Sequence, residues 1–172
     1  MKEMARYGFT LGLICIIATG LLAGVNHFTR SRIIAQAQAE EDSSLKDVLP
    51  EAAYFDPVKV SGEVVYYKAY DIKKTFLGVA FKAQGKGYSS VIETIAGMTK
   101  DGTITAIKII NHNETPGLGS RVAEPEFMNQ FRGINSQDLS KIQAITGATI
   151  SSRAVKDSVE KKAQEIRALL KR

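Results

Sequence analysis

One cysteine, no tryptophan, two histidines and four prolines are the scarcities of this 172-residue chain, and each closes a route. Cys15 lies inside an apolar stretch, so no intrachain disulfide forms and the fold must be held by its own core. His27 and His112, with no cysteine near either of them in a ligand spacing, give no metal-binding pattern. There is no P-loop, no Gly-x-Gly-x-x-Gly behind a strand and no nucleophile elbow. Nothing arranges the Ser, His and Asp residues as a triad, so no catalytic residue is assigned and the familiar hydrolase and dehydrogenase chemistries are excluded.

Charge is unevenly spread. The net charge is +5, and Ser151 to Arg172 carries seven basic residues against three acidic ones. No aromatic residue is interleaved there, which excludes a base-stacking surface and any nucleic-acid partner; the cations belong to a solvated helix face. At the other end, Tyr7 to Val25 has no charged residue, about the length a helix needs to cross a bilayer. Gly8, Gly12, Gly20 and Gly24 suit close helix contact in lipid. A secretory signal has a shorter apolar core, and the Ala35-Gln36-Ala37 sequence falls well beyond the stretch. Residues 1–29 therefore read as a retained transmembrane anchor. Lys2 and Arg6 on one flank balance Arg30 and Arg32 on the other, so flanking charge does not set the orientation.

Residues 30–56 read as a helical stalk and linker: good helix formers run to Asp42, Ser43 and Ser44 interrupt, Ser44 caps a turn over 45–49, and Pro50 ends it. Residues 57–172 form the domain. Val58 to Tyr70, broken at Gly62, has strand character, as do Thr75 to Ala83, Val91 to Met98 and Thr103 to Asn111. Gln84 to Gly87 reads as a turn, and Asp101-Gly102 as a hairpin that places Thr103, Thr105, Ile107 and Ile109 on one face. Glu124 to Phe131 predicts a short helix stopped by Gly133. The last helix, Ser151 to Arg172, lines Val155, Val159, Ala163, Ile166 and Leu170 along one stripe. The fold class is α+β: an antiparallel sheet packed with helices, preceded by one N-terminal transmembrane helix.

Two stretches hold candidate chemistry. In Thr146-Gly147-Ala148-Thr149-Ile150-Ser151-Ser152, small residues clear the space around the Thr149 hydroxyl, and the following helix offers unpaired amides at the positive end of its dipole. A phosphate fits such a turn, and Ser151 or Ser152 would add a hydroxyl; the same residues also read as an ordinary helix cap. Arg153, one turn on, reaches toward the same phosphate or is a surface cation. In Glu114-Thr115-Pro116-Gly117-Leu118-Gly119, two glycines allow close backbone approach around one apolar finger, Leu118, or form a tight connection. Gly85, Gly87 and Tyr88 offer a third wall, with Tyr88 as a stacking face or a rim residue.

Thr146-Gly147-Ala148-Thr149 resembles the (Ser/Thr)-Gly-Ala-Thr signature of the FMN-binding domain family, and Glu114 to Gly119 is similar to the family's second motif. With the single N-terminal hydrophobic segment, the pair resembles the G subunits of Rnf-type electron-transport complexes and their relatives, the C subunits of Na⁺-pumping NADH:quinone reductases. The family's usual acid three residues before the first Ser/Thr is Gln143 here. The resemblance implies FMN held covalently through a phosphoester to Thr149, with Thr146, Gly147, Ala148, Ile150, Ser151, Glu114, Thr115, Gly117, Leu118 and Tyr88 around it. It implies electron transfer within an ion-translocating ferredoxin:NAD oxidoreductase, other membrane subunits as partners and no turnover by the chain alone. It implies a bacterial cell membrane with the domain on the extracytoplasmic side, and a separate flavin transferase using FAD for maturation. The alternatives are a cofactor-free, membrane-tethered binding or assembly module and a free-standing flavin reductase.

Overall fold

A computed structural model of the chain describes residues 2–60 and 62–170, apart from the side chains of residues 2 and 3. The end of the expected last helix, 171–172, and position 61 within the expected strand 58–70 lie outside the described residues. The first element, α1, is one helix over Lys2–Val48. A stretch of it is long and apolar enough to cross a membrane, with a mean hydropathy of 2.2 and none of that stretch buried in the protein. The chain divides into two compact units, 1–40 and 41–172.

The expected interruption at Ser43 and Ser44 does not occur. Ser44, Leu45, Val48 and Leu49 are buried, at helical spacing, against Ala69, Ala80, Ile95 and Ala106 of the sheet. Burial of this stripe outweighs the modest helix preference of two serines. Polar clamps hold the same two turns: Glu41 accepts from the Tyr67 hydroxyl at 2.6 Å and from Lys82 Nζ at 2.5 Å, and Asp47 pairs with Lys108 at 2.6 Å.

The sheet has five antiparallel strands in chain order: β1 (Tyr54–Val60), β2 (Glu63–Tyr70), β3 (Phe76–Lys86), β4 (Val91–Thr99) and β5 (Ile104–Asn111). The expected strand over 58–70 is thus two strands, turned at Gly62 with φ +91°, and β1 begins within the expected linker. Pro57 is tolerated because β1 is an edge strand, where a missing N–H costs no ladder bond. Gln84 to Lys86 continue β3 rather than turning; the reversal comes at Gly87 to Ser90, where the Gly87 amide bonds the Ser90 carbonyl at 2.8 Å. Gly102, at φ +87°, closes the expected hairpin. A bulge then shifts the register between Gly97 and Met98, so Thr105 faces α1, donating to the Val48 carbonyl at 2.6 Å, while Ile107 and Ile109 face the other side. One extra residue has flipped the predicted alternation.

On that other side lie the short helix α2 (Pro125–Met128), followed by a 3₁₀ turn at 129–131, and the long helix α3 (Thr149–Leu170). Val155, Val159, Ala163 and Ile166 are buried among Val79, Phe81, Ile92, Ala96, Met98 and Ile104, with Leu170 packed at the edge. Phe127 and Phe131 meet edge to face at 5.5 Å and seal the end of this core. A further 3₁₀ turn, Gly119–Ala123, follows the predicted loop. The sheet is covered on both faces, and its β3–β4 end delivers two loops to the first turn of α3.

Candidate functional site

The turn entering α3 is closed by its own backbone and one serine. The Ala148 amide bonds the Ile145 carbonyl at 2.9 Å, and Gly147 sits at φ +83°, a conformation costly for other residues. The Ser152 hydroxyl accepts from the Ile145 amide at 3.1 Å and donates to the Ala148 carbonyl at 2.9 Å. Thr149 is the first helical residue and is exposed. Its hydroxyl and those of its neighbours do not cap the helix. Among the described residues, the amides of Thr149, Ile150 and Ser151 have no hydrogen-bond acceptor, as befits the first turn of a helix.

Beneath this turn lies Glu114, only 5% exposed. One carboxylate oxygen accepts from the Ser89 amide at 3.0 Å, the Ser90 amide at 2.9 Å and the Ser90 hydroxyl at 3.4 Å. The other accepts from the Ser151 hydroxyl at 2.6 Å and the Tyr88 amide at 3.2 Å. Burial by itself pushes this carboxyl upward, but the Ser151 hydroxyl and the three backbone amides together outweigh it and hold the group below the usual carboxylate value. Glu114 is therefore an anion at neutral pH.

Tyr88, Glu114, Thr115, Leu118, Gly119, Gly147, Ala148, Thr149, Ile150 and Ser151 line one open cavity of about 370 Å³. Its rim is apolar and solvent-facing: Tyr88 is 72%, Ile150 54% and Leu118 51% exposed. Leu118 Cδ2 lies 3.5 Å from where a side chain on Gly147 would begin, so the two motifs meet across the cavity. The volume is near the lower end of the roughly 300–1,000 Å³ typical of small-molecule sites, suited to one planar group with a tail left outside.

Nine of the eleven residues named from sequence line this cavity. Thr146 instead lines a neighbouring cavity with Arg121, Gln130 and Gln143, where Gln130 bonds the backbone of Gln143. Gly117, at φ +72°, shapes the loop that carries Leu118 without lining the cavity. Arg153 faces away, beside Gln143 and Lys156. Neither Ser151 nor Ser152 has a hydroxyl hydrogen left for a phosphate, since both are given within the protein. Of the expected third wall only Tyr88 lines the cavity; Gly85 lies under the Ala154 carbonyl of α3, and Gly87 makes room for the Glu114 carboxylate. The junction of Glu114 with Ser89 and Ser90 was missed, because its members are 24 and 25 residues apart and leave no local pattern. Among the described residues, no three His, Cys, Asp or Glu side chains converge as a metal site would require.

Known proteins bear on this arrangement. Residues 87–164 match the FMN-binding domain family model, and residues 1–48 match the model of the RnfG N-terminal region. The G subunit of the ion-translocating oxidoreductase complex of Methanosarcina acetivorans is 33% identical, the match covering 92% of each chain. The G subunit of the proton-translocating ferredoxin:NAD(+) oxidoreductase complex of Clostridium ljungdahlii is 32% identical over 91% of this chain and 88% of its own. The crystal structure of the C subunit of the Na(+)-translocating NADH-quinone reductase from Parabacteroides distasonis superposes with a TM-score of 0.56 at 16% identity, covering 79% of this chain and 95% of that one, and shares the fold. With an FMN-binding domain behind an RnfG-type N-terminal region, and G-subunit proteins matching nearly end to end, the chain belongs to the G-subunit family of ion-translocating oxidoreductase complexes.

Proposed function

We propose that this chain is a membrane-anchored electron-transfer subunit of an ion-translocating ferredoxin:NAD oxidoreductase, carrying FMN as a phosphoester on Thr149. Family membership and the apolar N-terminal helix support the membrane-bound complex, its other subunits as partners, and FMN as the cofactor. The residues fit the group. An exposed Thr149 hydroxyl stands at the first turn of α3, beside amides with no acceptor, over a cavity rimmed by Leu118, Ile150 and Tyr88. That juxtaposition is the observation on which the covalent reading rests.

In this reading Thr149 Oγ holds the phosphoryl group, and the Ile150 and Ser151 amides face its negative charge at the positive end of the helix. Leu118 and Ile150 offer apolar surface to the ring, while Tyr88 offers a planar one. Bound FMN supplies the electron-carrying chemistry; the protein supplies attachment, orientation and surroundings. No residue of the cavity is placed to split a pyrophosphate. Attachment accordingly needs a separate flavin transferase with FAD as donor: a bond forms between Thr149 Oγ and the flavin-side phosphorus, the pyrophosphate bond breaks, and AMP leaves while the transferase takes up the hydroxyl proton. The folded unit, 41–172, lies on the extracytoplasmic side.

Coexpression with a flavin transferase tests this. The full chain on a denaturing gel is expected to fluoresce under ultraviolet light and to gain one FMN in intact mass, and Thr149→Ala to abolish both. A dark, unmodified wild-type band beside an active transferase would remove the covalent assignment and favour a cofactor-free tethering module.

A further inference from the structure

The Glu114 carboxylate has no cationic partner among the ion pairs of the described residues; all five of its hydrogen bonds come from neutral donors. A buried carboxylate of this kind is an expensive strut, because desolvating a charge costs more than desolvating an amide or an apolar side chain. Its advantage is geometric. Donors approach both oxygens at once, and only a carboxylate accepts at both; the isosteric amide would set an NH₂ against donors on one side. The donors come from the Tyr88–Ser90 turn and the first turn of α3, and Glu114 itself begins the loop that bears Leu118. These three segments supply every wall of the cavity. Two glycines leave room for the group: a Cβ on Gly87 would lie 2.5 Å from one carboxylate oxygen, and one on Gly119 2.6 Å from the other.

We propose that Glu114 is the positioning residue of this cavity, locking the three segments into one frame and so fixing the direction in which Thr149 is presented. The proposal rests on the reading of Thr149 as the site of flavin attachment. Glu114 does not touch the reacting atoms in that reading; it acts through Ser151, two residues along α3 from Thr149, and through the turn that carries Tyr88.

The test uses the full chain in detergent, flavin-free, as E114Q and as the control Thr105→Val, whose lost hydrogen bond lies on the opposite face of the sheet. In E114Q, exchange of the Tyr88, Ser89 and Ser90 amides is expected to quicken by about tenfold or more. Flavin attachment by a transferase at saturating FAD is expected to lose about tenfold or more in kcat, with KM for the chain held within about twofold, because the docking surface is intact while the hydroxyl is misaimed. T105V is expected to change neither. Unaltered kcat in E114Q, or an equal loss in T105V, would overturn the proposal. If E114Q does not fold, Ser151→Ala removes one donor and keeps the charge; slower attachment supports the frame, and an unchanged rate sinks it. A wild-type chain that takes no flavin from an active transferase would refute the Thr149 reading instead, and amide exchange in E114Q would then decide the frame alone.

Discussion

Gly119 shows how little tolerance the site has at the level of one atom. Its backbone is not in the left-handed region, so alanine is conformationally allowed there, but the added methyl would meet Glu114 at 2.6 Å and the Ser151 hydroxyl at 2.8 Å. Gly119→Ala is expected to cost about 1–3 kcal/mol in chemical denaturation, as overpacking does, and to lower the fraction of chain loaded with flavin. Glu114 also gives the site a pH signature. Its carboxyl is held below the ordinary value in the folded chain, so its stabilisation is fully present above the unfolded carboxylate pKa, about 4.3, and is lost as pH falls through the lowered folded value. Acid titration followed by exchange of the Tyr88–Ser90 amides is expected to show protection persisting below the ordinary carboxylate range. E114Q should show no such acid step. Much of this was legible locally: the Thr146–Thr149 turn and the Glu114–Gly119 loop are contiguous strings, and their small residues announce a crowded, chemistry-bearing bend. The partnership of Glu114 with Ser151 was not, since 37 residues separate them and no periodicity links them.

Elements were read well where one force dominated and misread where two competed. The α3 stripe follows directly from apolar spacing, and Asp101-Gly102 turned as turn chemistry requires. Gly85 looked like part of a turn but is a strand residue, its missing side chain needed for the approach of the Ala154 carbonyl rather than for a bend. A glycine in sequence does not say which of these it serves. Ser43 and Ser44 likewise looked like a break, yet the buried stripe of Leu45, Val48 and Leu49 carries α1 through them. The clamp between this part of α1 and the sheet has its own titration. Burial first, then the hydrogen bond to Glu41, then the charges of Glu41 and Asp42 push the Tyr67 hydroxyl far above its usual value. Stability from this group is complete below the unfolded tyrosine pKa, about 10, and declines as pH rises toward the folded value. Among the six tyrosines of the chain, one is expected to ionise last in an ultraviolet absorbance titration, and Tyr67→Phe to remove that late component. A Tyr67 that titrates with the others would mean that the Glu41 contact does not persist in solution.

For the molecule as a whole, the question is where the anchor stops and the domain begins. Apolar composition alone places the boundary early, since Tyr7 to Val25 is what a bilayer demands and everything beyond reads as stalk. The contacts place it later: residues 41–172 form one unit that includes the last two turns of α1. Those turns fill one entire face of the sheet with Leu45, Val48, Leu49 and Ala52, and they add Glu41 and Asp47 to its polar rim. Removing them would expose Ala69, Ala80, Ile95 and Ala106 to water and leave an open apolar sheet face, a structure prone to association. Two truncations separate these views. A chain starting at residue 41 is expected to be soluble, to unfold cooperatively and to accept flavin at Thr149 from a transferase. A chain starting at residue 50 loses at least Leu45, Val48 and Leu49, each a buried aliphatic whose truncation costs on the order of 1–5 kcal/mol. That sum rivals the ~5–15 kcal/mol stability of an ordinary domain, so the shorter chain is expected to aggregate or to melt without a cooperative transition. Equal melting temperatures for the two would show that the end of α1 is only a tether, and would return the boundary to the place its composition indicates.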